Sequence, residues 1–126
     1  MPNRAEHEAR AQANERIAAR FRLADPDEIA WAMTILFYAA LHWLEAYFDE
    51  TTGAHHLTHS DRFFDTDGLP IGHEFRRLYD ASRRARYEIN PFILPEVDAL
   101  MGYYTAVKLF AQAALSEGSE ADSSTN

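Results

Sequence analysis

The chain contains no cysteine, which excludes disulfides, thiolate metal sites and a nucleophilic Cys. It has one lysine, Lys108, beside many arginines, an imbalance that base composition explains as readily as function. The first ten residues, MPNRAEHEAR, hold no apolar h-region. No secretory signal is expected from them, and cytoplasmic residence is the expectation. Neither a period-two alternation nor an internal repeat is present, so strands are not expected. The patterns G-x-x-x-x-G-K-[ST], G-x-G-x-x-G and G-x-S-x-G are all missing. A P-loop, a dinucleotide fingerprint and a hydrolase nucleophile elbow are thereby excluded, and no cofactor is expected. Positive charge is scarce overall: the net charge is −8, which argues against a broad electrostatic grip on nucleic acid.

What the chain does have is one long greasy stretch, residues 29–48, IAWAMTILFYAALHWLEAYF. On a helix, Ile29, Met33, Leu36, Phe37, Ala40, Leu44, Tyr47 and Phe48 form a broad apolar stripe, and Trp31, Ile35, Tyr38, His42 and Glu45 form a second line. Glu45 is the only formally charged residue between Glu28 and Asp49. The stretch is as long as a membrane span, but its flanks are acidic and its interior carries Trp, Tyr, His and Glu, so no membrane span is expected. A helix apolar on nearly every side is buried on nearly every side. A domain this small is expected to cover about half of it, leaving the remainder to a second copy in a homodimer.

The remaining segments arrange themselves around that stretch. Residues 1–24 read as an N-terminal helix with a narrow stripe of Ala5, Ala9, Ala13, Ile17 and Phe21, thin enough to fray. Asp25-Pro26-Asp27-Glu28 is a helix start, with Asp25 as N-cap and Glu28 closing a capping box. Gly53 suits the left-handed stop of the central helix. Thr58 or Ser60 caps a short connecting helix through Arg62, Phe63 and Phe64, and Asp67-Gly68-Leu69-Pro70 is a turn. A further helix runs from about Gly72 to Glu88, with Phe75, Leu78, Tyr79, Ser82 and Ala85 inward, and Asn90-Pro91 ends it. Pro95 opens the last helix, which buries Val97, Leu100, Met101, Tyr104, Val107, Ala111 and Leu115 and stops near Glu117. The expected fold is all-α: an up-and-down bundle of four main helices plus a short connecting helix, with 25–116 as the core and 117–126 as a disordered acidic tail.

Three clusters carry chemistry. His55, His56 and His59, with Asp61 and Asp65, have spacings that would suit metal ligands, yet they fall at a helix boundary where histidines are commonly solvated or capping. No metal is assigned to them. His42 and Glu45 form H-x-x-E; a di-iron bundle needs E-x-x-H twice with further Glu residues. His42 therefore reads as a core histidine bonded to Glu45, Tyr38 or a backbone carbonyl, or as one wall of a polar pocket with the histidine connection or the arginine segment. That segment, Arg76 to Arg86, is R-R-x5-R-R-x-R. Intrahelical pairs Glu74–Arg77 and Arg76–Asp80 account for its first half. Arg83 and Arg86 instead share a semi-apolar side with Tyr79 and Tyr87.

FYAALHWLEAYF, then G-x-H-x-x-T-H-x-x-R (Gly53, His55 or, in a shifted register, His56, then Thr58, His59 and Arg62), then LYDASRRARY (Leu78 to Tyr87) together resemble small prokaryotic HEPN-like proteins, over about residues 28 to 115. The resemblance implies a compact helical bundle that dimerises and accompanies a nucleotidyltransferase, a toxin–antitoxin module or a defence system. Catalytic HEPN ribonucleases carry an Arg followed within a few positions by a His. Here Arg86 is followed by YEINPFIL, Arg83 reaches only Glu88, Ile89 and Asn90, and Arg62 lies far from His73. The resemblance thus implies the fold and the dimer without the cleavage activity. The expectation is a non-catalytic bacterial binding protein that holds a nucleotide, RNA or an acidic protein partner. The ligand-binding residues would be Arg83, Arg86, Tyr87, Tyr79, His42, His59 and Arg62, with no catalytic residue. The rivals are a variant metal-independent endoribonuclease using His42, His56 or His59, and a metal-binding bundle.

Overall fold

The computed structural model describes residues 2–89 and 92–124, with side chains to residue 118. It comprises α1 (Arg4–Ala18), α2 (Pro26–Thr51), α3 (His59–Thr66), α4 (Gly72–Tyr87) and α5 (Leu94–Ser124). No strand occurs among the described residues. The all-α expectation therefore holds, as a helical bundle.

α2 is the hub, packed against α1, α4 and α5, while α4 also packs on α5 and α3 on α4. Its start follows the sequence: the Asp25 carboxylate accepts from the backbone N–H groups of Asp27 and Glu28 at 2.9 and 3.3 Å, satisfying donors that the helix itself leaves open. The expected capping box is not closed, because the Glu28 carboxylate turns to the Arg22 backbone N–H at 3.4 Å instead. A closed capping box is found at α1, between Asn3 and Glu6. Gly53 takes φ +71° and donates to the Phe48 carbonyl at 2.8 Å, ending α2, a conformation that costs a residue with a Cβ.

The chain covers α2 more completely than expected. Phe37, Trp43 and Leu44 are fully buried, and about two-thirds of the most apolar window is enclosed by the chain's own helices (67%). Each such large side chain contributes on the order of 1.5–3 kcal/mol. Three helices, α1, α4 and α5, pack against the hub.

α1 presents a different face from the one anticipated. Ala5, Ala9 and Ile17 are exposed, whereas His7, Ala11 and Ala18 are buried. With alanine on every side, apolar periodicity does not discriminate, and polar anchors set the rotation. The Arg4 backbone N–H donates to Asp49 and its guanidinium to the Leu115 carbonyl, His7 meets His42, and the Glu15 carboxylate accepts from Tyr104 and Lys108.

α3 is capped by Thr58, whose hydroxyl accepts from the Asp61 N–H at 3.1 Å. In α4, Phe75, Leu78 and Ser82 are buried as expected, and Tyr79 and Ala85 are half-buried. The expected stop at Asn90-Pro91 lies outside the described residues. α5 begins one residue before Pro95 and runs beyond Glu117 to Ser124, since Gly118 weakens a helix without stopping it. Residues 125 and 126 of the expected tail lie outside the described residues. Met101 is exposed at 43%, while its neighbours in the predicted stripe, Leu100 and Tyr104, are buried.

Candidate functional site

The arginines of α4 divide by their partners. Arg76 leaves its helix to pair with Asp67 at 2.8 Å, not with Asp80, and lies 3.9 Å over the Phe63 ring. Arg84 holds Glu96 at 2.7 Å and Glu88 at 3.7 Å. Arg83 and Arg86 have no carboxylate within ion-pair distance among the described residues. Their neighbours are aromatic: Arg83 sits 6.0 Å from the Tyr79 ring centroid and Arg86 5.8 Å from that of Tyr87. Position in the last turns of α4 favours cations there in any case, through the helix dipole. That alone does not explain aromatic neighbours left open to solvent, and Tyr87 is 77% exposed.

From Tyr79 a chain of contacts leads inward. Its ring lies 5.1 Å from the His59 ring, and Phe37, Phe63 and Phe75 pack beneath. Nδ1 of His59 accepts from Arg62 Nη1 at 3.0 Å, because a guanidinium can only donate. Arg62 Nε donates to Glu45 Oε1 at 2.6 Å. Glu45 also faces His56 Nδ1 at 3.1 Å, and His56 Nε2 faces Asp65 at 2.6 Å. Glu45 and Arg62 are both buried, an ion pair whose loss on one side strands the other charge.

Four predicted residues, Arg62, His59, Tyr79 and Arg83, are thus linked in a single run of contacts, and Arg86 acts on His59 through its charge. Arg62 is a buried tie, not an open ligand group. His42 stands apart from the arginine segment. Its Nδ1 is 3.0 Å from Nδ1 of His7 on α1, a partner concealed by the misread face of α1. The three histidines of the α2–α3 connection also separate: His55 faces Asp49 at 3.5 Å, His56 the two carboxylates, His59 Arg62. No three His, Asp or Glu side chains converge as a metal-ligating set among the described residues.

Electrostatics constrain the chemistry. Burial, then the neighbouring His7 and Arg10, pushes His42 down to about 4. Burial, then Arg62 and Arg86, pushes His59 below its ordinary value. Both shifts disfavour the imidazolium; a neutral ring can still accept a proton.

Sequence reasoning missed two features. Trp31, which the periodicity had put on the same line of α2 as His42, is 63% exposed and shares a surface groove with Arg86. Separately, Ala18, Phe21, Leu23, Met33, Leu36 and Met101 line an apolar groove of about 380 Å³. Glu15 at its edge accepts from Tyr104 (2.7 Å) and Lys108 (2.7 Å), while Trp43 donates to the Tyr104 oxygen at 3.0 Å. Burial would raise Glu15, but Lys108 and Tyr104 hold it below the usual carboxylate range. Burial, with Glu15 beside it, keeps the Tyr104 phenol protonated. Each of these groups satisfies another, so the cluster reads as structural. Comparison with protein-family models, with curated proteins and with solved structures returned no match.

Proposed function

We propose that the protein is a non-catalytic, HEPN-like up-and-down helical bundle that binds RNA or a nucleotide through the C-terminal half of α4. The observation that carries this reading is the pair Arg83 and Arg86, which lack carboxylate partners among the described residues: Arg83 lies beside half-buried Tyr79, and Arg86 lies beside the exposed ring of Tyr87 and shares a groove with exposed Trp31. Cations that track phosphate and aromatic faces that stack bases are the two components of sequence-tolerant single-strand binding. The same aromatic faces favour RNA or a nucleotide over an acidic protein. Membership of a toxin–antitoxin or defence module is supported by the HEPN-like resemblance. A homodimer is supported by the same resemblance, and exposed apolar side chains, among them Trp31 on α2, Phe64, Ile89, Ile93 and Leu94, are available for it.

The test is fluorescence anisotropy with a labelled single-stranded oligoribonucleotide, alongside incubation of the protein with a mixed RNA pool. The RNA stays intact. Binding weakens with salt at a log–log slope of about −1.4, the value for two phosphate contacts on a single strand, and the Arg83→Ala/Arg86→Ala variant loses it. Absence of binding, or RNA cleavage abolished by Arg86→Ala or His59→Ala, overturns the proposal.

A further inference from the structure

α2 buries or half-buries every large apolar side chain it carries except one. Trp31 is 63% exposed, against 1% for Trp43 on the same helix. Leaving an indole in water forgoes the stabilisation its burial would bring, so the fold does not explain it. Its surroundings suggest what would. The groove it lines, of about 420 Å³, is bounded by Asp27, Ala30, Thr34, Ala85 and Arg86. The two alanines are small, and the Thr34 hydroxyl already donates to the Ala30 carbonyl at 2.9 Å. The remaining lining groups are an indole, a guanidinium and a carboxylate. Asp27 and Arg86 border the same groove without forming an ion pair.

We infer that this groove takes one ribonucleotide unit, with its base against Trp31, its phosphate on Arg86 and its ribose hydroxyls on Asp27. The chemistry of each group matches one part of that ligand. An exposed indole offers a stacking face to any base. A guanidinium fork suits phosphate oxygens. A carboxylate accepts from sugar hydroxyls, and the 2′-hydroxyl separates RNA from DNA. A carboxylate within the groove is a poor choice for a site that reads phosphate alone, but a suitable one for a site that reads the sugar. The inference rests on the RNA- or nucleotide-binding reading above and adds the residue that stacks and the residue that selects ribose.

The full chain is titrated with AMP, with dAMP and with matched single-stranded oligoadenylates of RNA and DNA, reading tryptophan quenching and anisotropy. Ribose ligands bind more tightly than their deoxy counterparts. Trp31→Ala weakens RNA binding about tenfold, and Asp27→Asn brings ribose and deoxyribose ligands to the same affinity while keeping the fold, as circular dichroism verifies. Tight binding of AMP alone identifies a free nucleotide as the source. Binding of the oligoribonucleotide with AMP inert identifies an RNA chain; both agree with the inference. Unchanged RNA affinity in Trp31→Ala, with loss in Arg83→Ala/Arg86→Ala, overturns the groove and leaves the arginine reading standing. No binding of any ligand overturns both.

Discussion

The pair His7–His42 makes acid stability of this protein depend on one helix contact. Their Nδ1 atoms are 3.0 Å apart, with ring centroids 5.2 Å apart. Only one of the two facing nitrogens can carry a proton, since the other must accept it. Glu6 on α1, Glu45 and Asp49 on α2 and His55 after it face His7; Arg10 on α1, Glu45 and, from α3, Arg62 face His42. Burial, the largest influence on both, lowers both. In the unfolded chain His42 titrates near its ordinary 6.5, and in the fold at about 4. Between those values the unfolded state binds more protons, so stability is complete above about pH 6.5 and falls as pH drops towards 4. A drop from 6.5 to about 4 corresponds to roughly 3 kcal/mol at full burial; His42 is only half-buried, and solvent screening brings this to about 2 kcal/mol.

Urea unfolding of the native chain and of His42→Gln, from pH 7.5 to pH 4.5, measures it. Gln keeps a hydrogen-bonding group beside His7 but cannot titrate. The native chain should lose about 2 kcal/mol more than the variant across that range. The carboxylates held low by cations, Glu15, Asp67 and Glu96, lose their contribution as pH falls towards their folded values, and they do so equally in both chains. Parallel stability curves would refute the reasoning.

Two further perturbations probe the interior. Glu45→Gln leaves Arg62 buried without its anion, and thermal unfolding should register a loss of about 3–5 kcal/mol, with part recovered in Glu45→Gln/Arg62→Met; an unchanged Tm would show that water already reaches the pair. Gly72→Ala would ordinarily favour a helix, but here the added Cβ meets the Thr66 carbonyl oxygen at 2.6 Å and the Asp67 Cα at 3.0 Å. Backbone cannot yield as a side chain does, so a net loss of about 1–3 kcal/mol is expected in chemical denaturation, and equal or greater stability would contradict it.

The parts of the fold legible in the sequence were those governed by local chemistry. Asp25-Pro26 starts α2, Gly53 ends it and Thr58 caps α3, because each acts on backbone groups within a few residues. The face of α1 was illegible because its burial is chosen by Asp49, His42, Tyr104, Lys108 and the Leu115 carbonyl, between 35 and 111 residues away along the chain. The same distance hid the partner of His42. In the candidate site, the linkage of His59, Tyr79 and Arg83 follows from aromatic positions visible in the sequence, but the burial of Arg62 depends on where α3 lands against Glu45. Trp31 belonged to the second line of α2, with Ile35, Tyr38, His42 and Glu45, and nothing in that line marks which member the fold leaves uncovered.

These distinctions bear on how any loss of binding is to be read. Arg62 belongs to the segment that suggested a ligand site, yet it is spent on Glu45 within the interior, and its removal lowers binding by unfolding the chain. Arg84 is tied to Glu96 across to α5, so its variants also disturb packing. Only Arg83 and Arg86 combine exposure, the absence of a carboxylate partner among the described residues and an aromatic neighbour. If Arg83→Ala/Arg86→Ala loses RNA binding at unchanged Tm, while Arg62→Met loses stability first and binding only in proportion to the unfolded fraction, the cations of the surface have been separated from the cation of the core. Equal loss of binding from both at unchanged Tm would mean that Arg62 reaches the ligand, and that the buried pair opens when the ligand binds.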